Sequence, residues 1–159
     1  MKLLPGLFLV LLLPSFSFAA PAECVGKLYE YGQGFSLNRF GEATTKKSWE
    51  TPNPNGAPGE MLHWTTLSSK GNWVTTLECD SCSPRKGVTE LFLTTKRDLP
   101  CGLRNGMSDR DIVQRLGDPY ERKEGNLFYV YPPDEGTQEI TLQMGDGKLN
   151  AIKWRFYVD

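Results

Sequence analysis

Between Gly106 and Pro119 the sequence reads GMSDRDIVQRLGDP, a short helix with both of its ends written out. Ser108 is an N-cap residue, and Asp111 three positions later completes a variant of the capping box, each side chain meeting a free backbone N–H of the other. Met107 and Ile112 are placed to pack as a hydrophobic staple across that first turn. Ile112, Val113 and Leu116 share one helical face, while Asp109, Arg110, Gln114 and Arg115 fall elsewhere. Gly117 supplies the positive-φ residue that ends the helix, and Pro119 prevents any continuation. A helix of about ten residues is marginal in water by itself. It must dock on a larger surface.

That surface is expected just downstream. NLFYVY (126–131), EITLQM (139–144) and NAIKWRFYV (150–158) are rich in aromatic and β-branched residues, and the last two alternate apolar with polar, so all three read as strands. Ile140, Leu142 and Met144 point one way, and Ile152, Trp154, Phe156 and Val158 repeat the period. GDG at 145–147 fits a tight hairpin turn between them. The expected fold is α+β: an antiparallel β-sheet, in meander order, with one short capped helix packed on one face.

The first half reads mostly as strands. MLHWTTL (61–67) and NWVTTLEC (72–79) flank SSKG as a hairpin, and VTELFLTTK (88–96) follows as the next neighbour. TPNPNGAPGE (51–60) reads as a loop, because its prolines, glycines and asparagines leave little regular structure open. GKLYEYGQGFSLNRFG, aromatic and glycine-rich, carries no clear signal, so no second long helix is expected. No internal repeat is visible in the sequence.

The N-terminal segment, MKLLPGLFLVLLLPSFSFAAPAEC, has Lys2, an apolar run too short for a comfortable membrane span, and small residues near its end. These are the marks of a secretory signal peptide over residues 1–22, followed by a single domain over 23–159. Cleavage after Ala19 and after Ala22 both satisfy the small-x-small rule. Glu23 before Cys24 does not fit a lipidation signal, and no other apolar run approaches the roughly 20 residues of a membrane helix. The expectation is an exported chain in a bacterial periplasm, without a membrane anchor. The full sequence has 18 basic and 19 acidic residues, and loss of Lys2 shifts the net charge from −1 to −2. Nothing in that balance favours nucleic acid as a partner.

Four cysteines, Cys24, Cys79, Cys82 and Cys101, suit disulfides in an oxidising compartment. Cys79 and Cys82 are placed to clamp a turn between strands, which would leave Cys24 to Cys101. Pairing of Cys24 with Cys79 or Cys82 is sterically as open from sequence. A thioredoxin-like pair would sit at a helix start, whereas SPRKGV after Cys82 reads as turn and strand. A zinc site would need His63 together with distant cysteines.

His63, the only histidine, would have to serve any Ser/His/Asp or Cys/His arrangement, and it lies in an alternating strand. Asp109, Asp111 and Asp118 are accounted for by capping and turn chemistry, and Glu78 and Asp80 by the turn beside Cys79. GQG and GDG lack the strand–loop–helix context of a phosphate cradle. The sequence therefore points to no enzyme, no cofactor and no metal.

From Leu103 to Trp154 the chain resembles the helix-and-sheet unit of two exported groups. These are the outer-membrane assembly lipoproteins of the SmpA/OmlA (BamE) type and the β-lactamase inhibitor proteins. The resemblance rests on GMSDRDIVQRLGDP, the aromatic strand after it and the hairpin ITLQMGDGKLNAIKW; the similar unit extends over residues 103–158. The inhibitor proteins carry their unit twice, whereas here it reads as single. The resemblance implies a sheet whose exposed face binds another protein.

Aromatic side chains on the outer side of a sheet are typical interface anchors. Tyr129, Tyr131 and Tyr157 are expected there, and Trp64 and Trp73 flank the first hairpin. The leading expectation is a non-catalytic protein-binding domain, an inhibitor or immunity-type protein that blocks a cell-envelope enzyme or toxin. The alternative is an accessory of outer-membrane assembly. A third reading is a thiol oxidoreductase using Cys79 and Cys82.

Overall fold

A computed structural model describes residues 21–35, 40, 43–82, 85–94, 98–132 and 138–156. The described residues open with a helix α1 (Pro21–Gln33), followed by four strands: β1 (Thr45–Pro52), β2 (Met61–Ser69), β3 (Asn72–Glu78) and β4 (Lys86–Thr94). A 3₁₀ turn (Pro100–Gly102) leads into helix α2 (Asp109–Leu116). Four more strands follow: β5 (Glu121–Lys123), β6 (Asn126–Tyr131), β7 (Gln138–Gly145) and β8 (Lys148–Arg155). All eight form one antiparallel sheet in the order β1-β2-β3-β4-β8-β7-β6-β5.

Helix α2 follows its caps closely. Ser108 Oγ accepts from the Asp111 N–H at 3.2 Å, and Asp111 Oδ2 accepts from the Ser108 N–H at 3.2 Å. Ile112 and Leu116 are buried, and Gly117 takes φ 79° at the C-terminus. Strand β6 matches the predicted stretch residue for residue. On β7 and β8 the core face carries Ile140, Leu142, Ile152 and Trp154, all buried.

A second helix corrects the expectation of one. In α1 the buried residues Cys24, Val25, Leu28 and Gly32 form a stripe at helical spacing. Its glycines obscured it in the sequence, and each has a packing reason. A Cβ on Gly32 would lie 2.5 Å from Cδ1 of Trp154, and one on Gly26 would lie 3.2 Å from Cε2 of Tyr131. The helix comes this close because it has no side chain at those two points. The Trp154 indole N–H then reaches the Leu28 carbonyl at 3.0 Å.

The order helix, then four-stranded meander, therefore occurs twice among the described residues, where the sequence shows it once. The two meanders join through β4 and β8, where Leu91 pairs with Trp154 and Leu93 with Ile152. Sheet predominates over helix in the result. One disulfide, Cys24–Cys101, ties α1 to the turn before α2, and Arg115 donates to the Cys101 carbonyl at 3.0 Å.

Two strands lie outside the sequence reading. β1 has a burial pattern exposed on both faces, so no alternation marks it, and its last residues, Thr51 and Pro52, fall in the segment expected to be loop. β5 is three charged residues. Irregularities between Thr75 and Thr76 and between Gln143 and Met144 shift the register. Bulges of this kind bend the strands and increase their twist.

Candidate functional site

Both helices pack on one face of the sheet. The other face of β1–β4 and β8 bends around a cleft of about 910 Å³. Pairing across the ladders arranges its side chains in three rows. The first runs Trp49–Trp64–Leu77, and the third Ser68–Trp73–Phe92–Lys153. Between them lies a polar row, Lys47–Thr66–Thr75–Glu90–Arg155. Period-two alternation puts each row on this face.

The aromatic rows are stacks. Trp49 and Trp64 lie nearly parallel with ring centroids 6.0 Å apart, and Trp73 and Phe92 likewise at 5.7 Å. Each stack carries a lysine ammonium: Lys47 lies 5.8 Å from the Trp49 centroid, and Lys153 lies 5.4 Å from that of Trp73. Within each stack one ring face is thus turned to the neighbouring ring. The cleft combines these tryptophans with the apolar Leu62 and Leu77 and the polar row between them. Trp64 is further fixed by its indole N–H, which donates to Thr51 Oγ1 at 2.9 Å.

In the middle row the Thr66 and Thr75 hydroxyls lie 2.7 Å apart. Farther along, Glu90 meets Lys153 at 3.1 Å and Arg155 at 3.5 Å, and Arg155 also faces Glu139 at 4.0 Å. These partly exposed pairs contribute little stability. Their effect is to neutralise one another beside the cleft. Thr89, left over by the bulge, anchors β4 through its hydroxyl to the Thr75 carbonyl at 3.2 Å.

One wall is the loop after β1, with Asn53, Pro54 and Asn55, and it meets the turn that carries Ser81 and Cys82. The disulfide Cys79–Cys82 closes that turn. Glu60 joins the two segments: it accepts from the Ser81 N–H at 3.1 Å and from the Ala57 N–H at 3.0 Å. A hydrogen bond from the Ser81 side chain, helped by these backbone donors, holds the Glu60 carboxyl below the usual carboxylate range.

The expected binding residues divide. Trp64 and Trp73 line the cleft, half-buried. Tyr129 and Tyr131 do not, which corrects their placement on an outer face. Tyr129 is buried under the helices with its hydroxyl on the Gly117 carbonyl at 3.0 Å, and burial raises its pKa. Tyr131 packs on the same side against Tyr29, with ring centroids 5.0 Å apart. NLFYVY is apolar at nearly every position, so its sequence gives no alternation from which to choose a face. Tyr157 lies outside the described residues, as do residues 1–20 of the leader expected over residues 1–22.

Sequence reading missed Trp49, because its strand was missed, and the hydroxyl row, which forms only when strands pair. Of the other candidates, His63 is exposed on β2 with Nδ1 3.0 Å from Glu50 Oε1. All four cysteines are in disulfides, and among the described residues no three His, Cys, Asp or Glu side chains gather to hold a metal ion. The Cys79–Cys82 pair sits in a turn between strands, not at a helix start, and Cys79 is fully buried. No helix among the described residues is long and apolar enough to cross a membrane. No family model matches this sequence, and no significant match is found among curated proteins or solved structures.

Proposed function

We propose that this chain is a non-catalytic, exported binding domain of the bacterial periplasm whose cleft receives a protruding segment of another protein, and that it acts as an inhibitor or immunity-type protein on a cell-envelope enzyme. The observation that carries this reading is the hydroxyl pair Thr66–Thr75 held between two rows of stacked aromatic rings. Tryptophan in a desolvated pocket is the commonest kind of interface anchor. Threonine and serine hydroxyls both donate and accept, so they match the peptide groups of an inserted loop. The disulfides suit an oxidising compartment. The doubled helix-and-meander order supports the inhibitor side of the resemblance over the assembly-lipoprotein side.

The test is affinity capture from periplasmic extract with tagged, oxidised protein, run beside a Thr66→Arg variant that fills the middle of the cleft. Support would be one envelope hydrolase or toxin held by the native protein, released by the variant, and inhibited in its own assay. Equal retention by the variant, or recovery of outer-membrane assembly components instead, would overturn the inhibitor reading.

A further inference from the structure

The two edges of the sheet are built differently. β5 ends it with three charged residues, Glu121–Lys123, a short edge that offers little to pair with. β1 is eight residues long, keeps an unbroken register with β2 from Thr45 to Pro52, and is exposed on both faces. No strand among the described residues pairs with its outer side, a row of backbone donors and acceptors that can take another strand. It also carries Trp49, a large exposed hydrophobic residue at 39 %.

We propose that β1 is the seam of a symmetric dimer, in which a second copy of this chain lays its own β1 antiparallel to the first with Ser48 facing Ser48. The register follows from geometry. A two-fold axis that continues an antiparallel sheet stands perpendicular to it, so it keeps each side chain on its own face. Directly paired residues share a face, whereas neighbours along a strand do not. The axis must therefore pass a residue that faces itself, and the central positions of β1 are Lys46, Lys47, Ser48, Trp49 and Glu50.

Centring on Lys46, Lys47 or Glu50 sets like charges directly opposite, which destabilises a pair. Centring on Trp49 sets Lys46 against Pro52 and Glu50 against Ser48, with no charge matched. Centring on Ser48 sets Lys46 against Glu50, and symmetry makes that contact twice. The same register sets Thr45 against Thr51, and Lys47 against Trp49, repeating across the seam the cation–ring contact that each copy already makes within itself. Lysines on an edge strand ordinarily repel other strands. Here they reject the competing registers and admit one. Both clefts then open on the same side of one continuous sheet.

The test is sedimentation of the purified protein from micromolar to millimolar concentration, beside Lys46→Glu, Glu50→Lys and the double exchange. The native protein should dimerise, each single variant should weaken the dimer at least about tenfold, and the double variant should recover it. Recovery separates the seam from the loss of the His63–Glu50 contact, which the double variant also lacks. A native protein monomeric throughout, single variants that dimerise normally, or a double variant that stays monomeric would each overturn the proposal.

Discussion

Replacing Gly32 by alanine sets two physical effects against each other. Inside a helix, glycine is less favourable than alanine by about 1 kcal/mol, so propensity alone predicts a more stable protein. The packing predicts the reverse. The new methyl would lie 2.5, 2.7 and 2.8 Å from three atoms of the Trp154 indole. Ordinary carbon contacts begin near 3.5 Å, so ring and helix must separate by about 1 Å. Trp154 is fully buried, and its N–H holds the Leu28 carbonyl of the same helix. Overpacking of this kind costs about 1–3 kcal/mol, and a buried donor pulled from its acceptor about 1–3 kcal/mol more. After the propensity gain, the net loss should be about 1–5 kcal/mol. Urea unfolding would read it as a lower midpoint with an unchanged slope. In a Trp154→Leu background the same change should cost much less, because the ring it strikes is gone. A stabilised or unaffected Gly32→Ala protein would refute the close approach of α1 to the sheet.

The disulfides should differ in weight. Cys24–Cys101 spans 77 positions and Cys79–Cys82 only three, so chain entropy gives losses of about 4.5 and about 2 kcal/mol on paired replacement by alanine, read by denaturation. Ser108→Ala removes the N-cap of α2 and should lower stability by about 1 kcal/mol in the same assay. Glu60 has a folded pKa below its unfolded one, so its stabilisation is complete above the ordinary carboxylate range and is lost as pH falls through the depressed folded value. Amide resonances of residues 53–60 followed against pH should show that loss, and Glu60→Gln should flatten it.

The sequence was most legible where local chemistry and tertiary position agree. Helix α2 has its caps, β6 its aromatic run, and β7 and β8 a period that one buried face enforces. Helix α1 was hidden because Gly26 and Gly32, read locally, argue against helix, while their purpose lies on distant strands, in Tyr131 and Trp154. β1 was hidden for the opposite reason: no face of it is buried, so burial leaves no pattern in TKKSWETP. Half of the site was legible for the same causes. Trp64 and Trp73 stand out as tryptophans in recognisable strands, but Thr66 and Thr75 become a paired surface only through a register that no single strand encodes.

The unequal covering of the sheet also sets how the molecule opens. Leu142, Ile152 and Trp154 at its middle are wholly buried, whereas nearly every residue of β1 is exposed. In the monomer, amide exchange should therefore be fastest in β1 and slowest in β7 and β8, because local opening needs less free energy where less apolar surface is released. Trp49 and the rim of the cleft belong to the part that opens most readily. A partner seated there would slow exchange along β1 and leave that of β8 nearly unchanged.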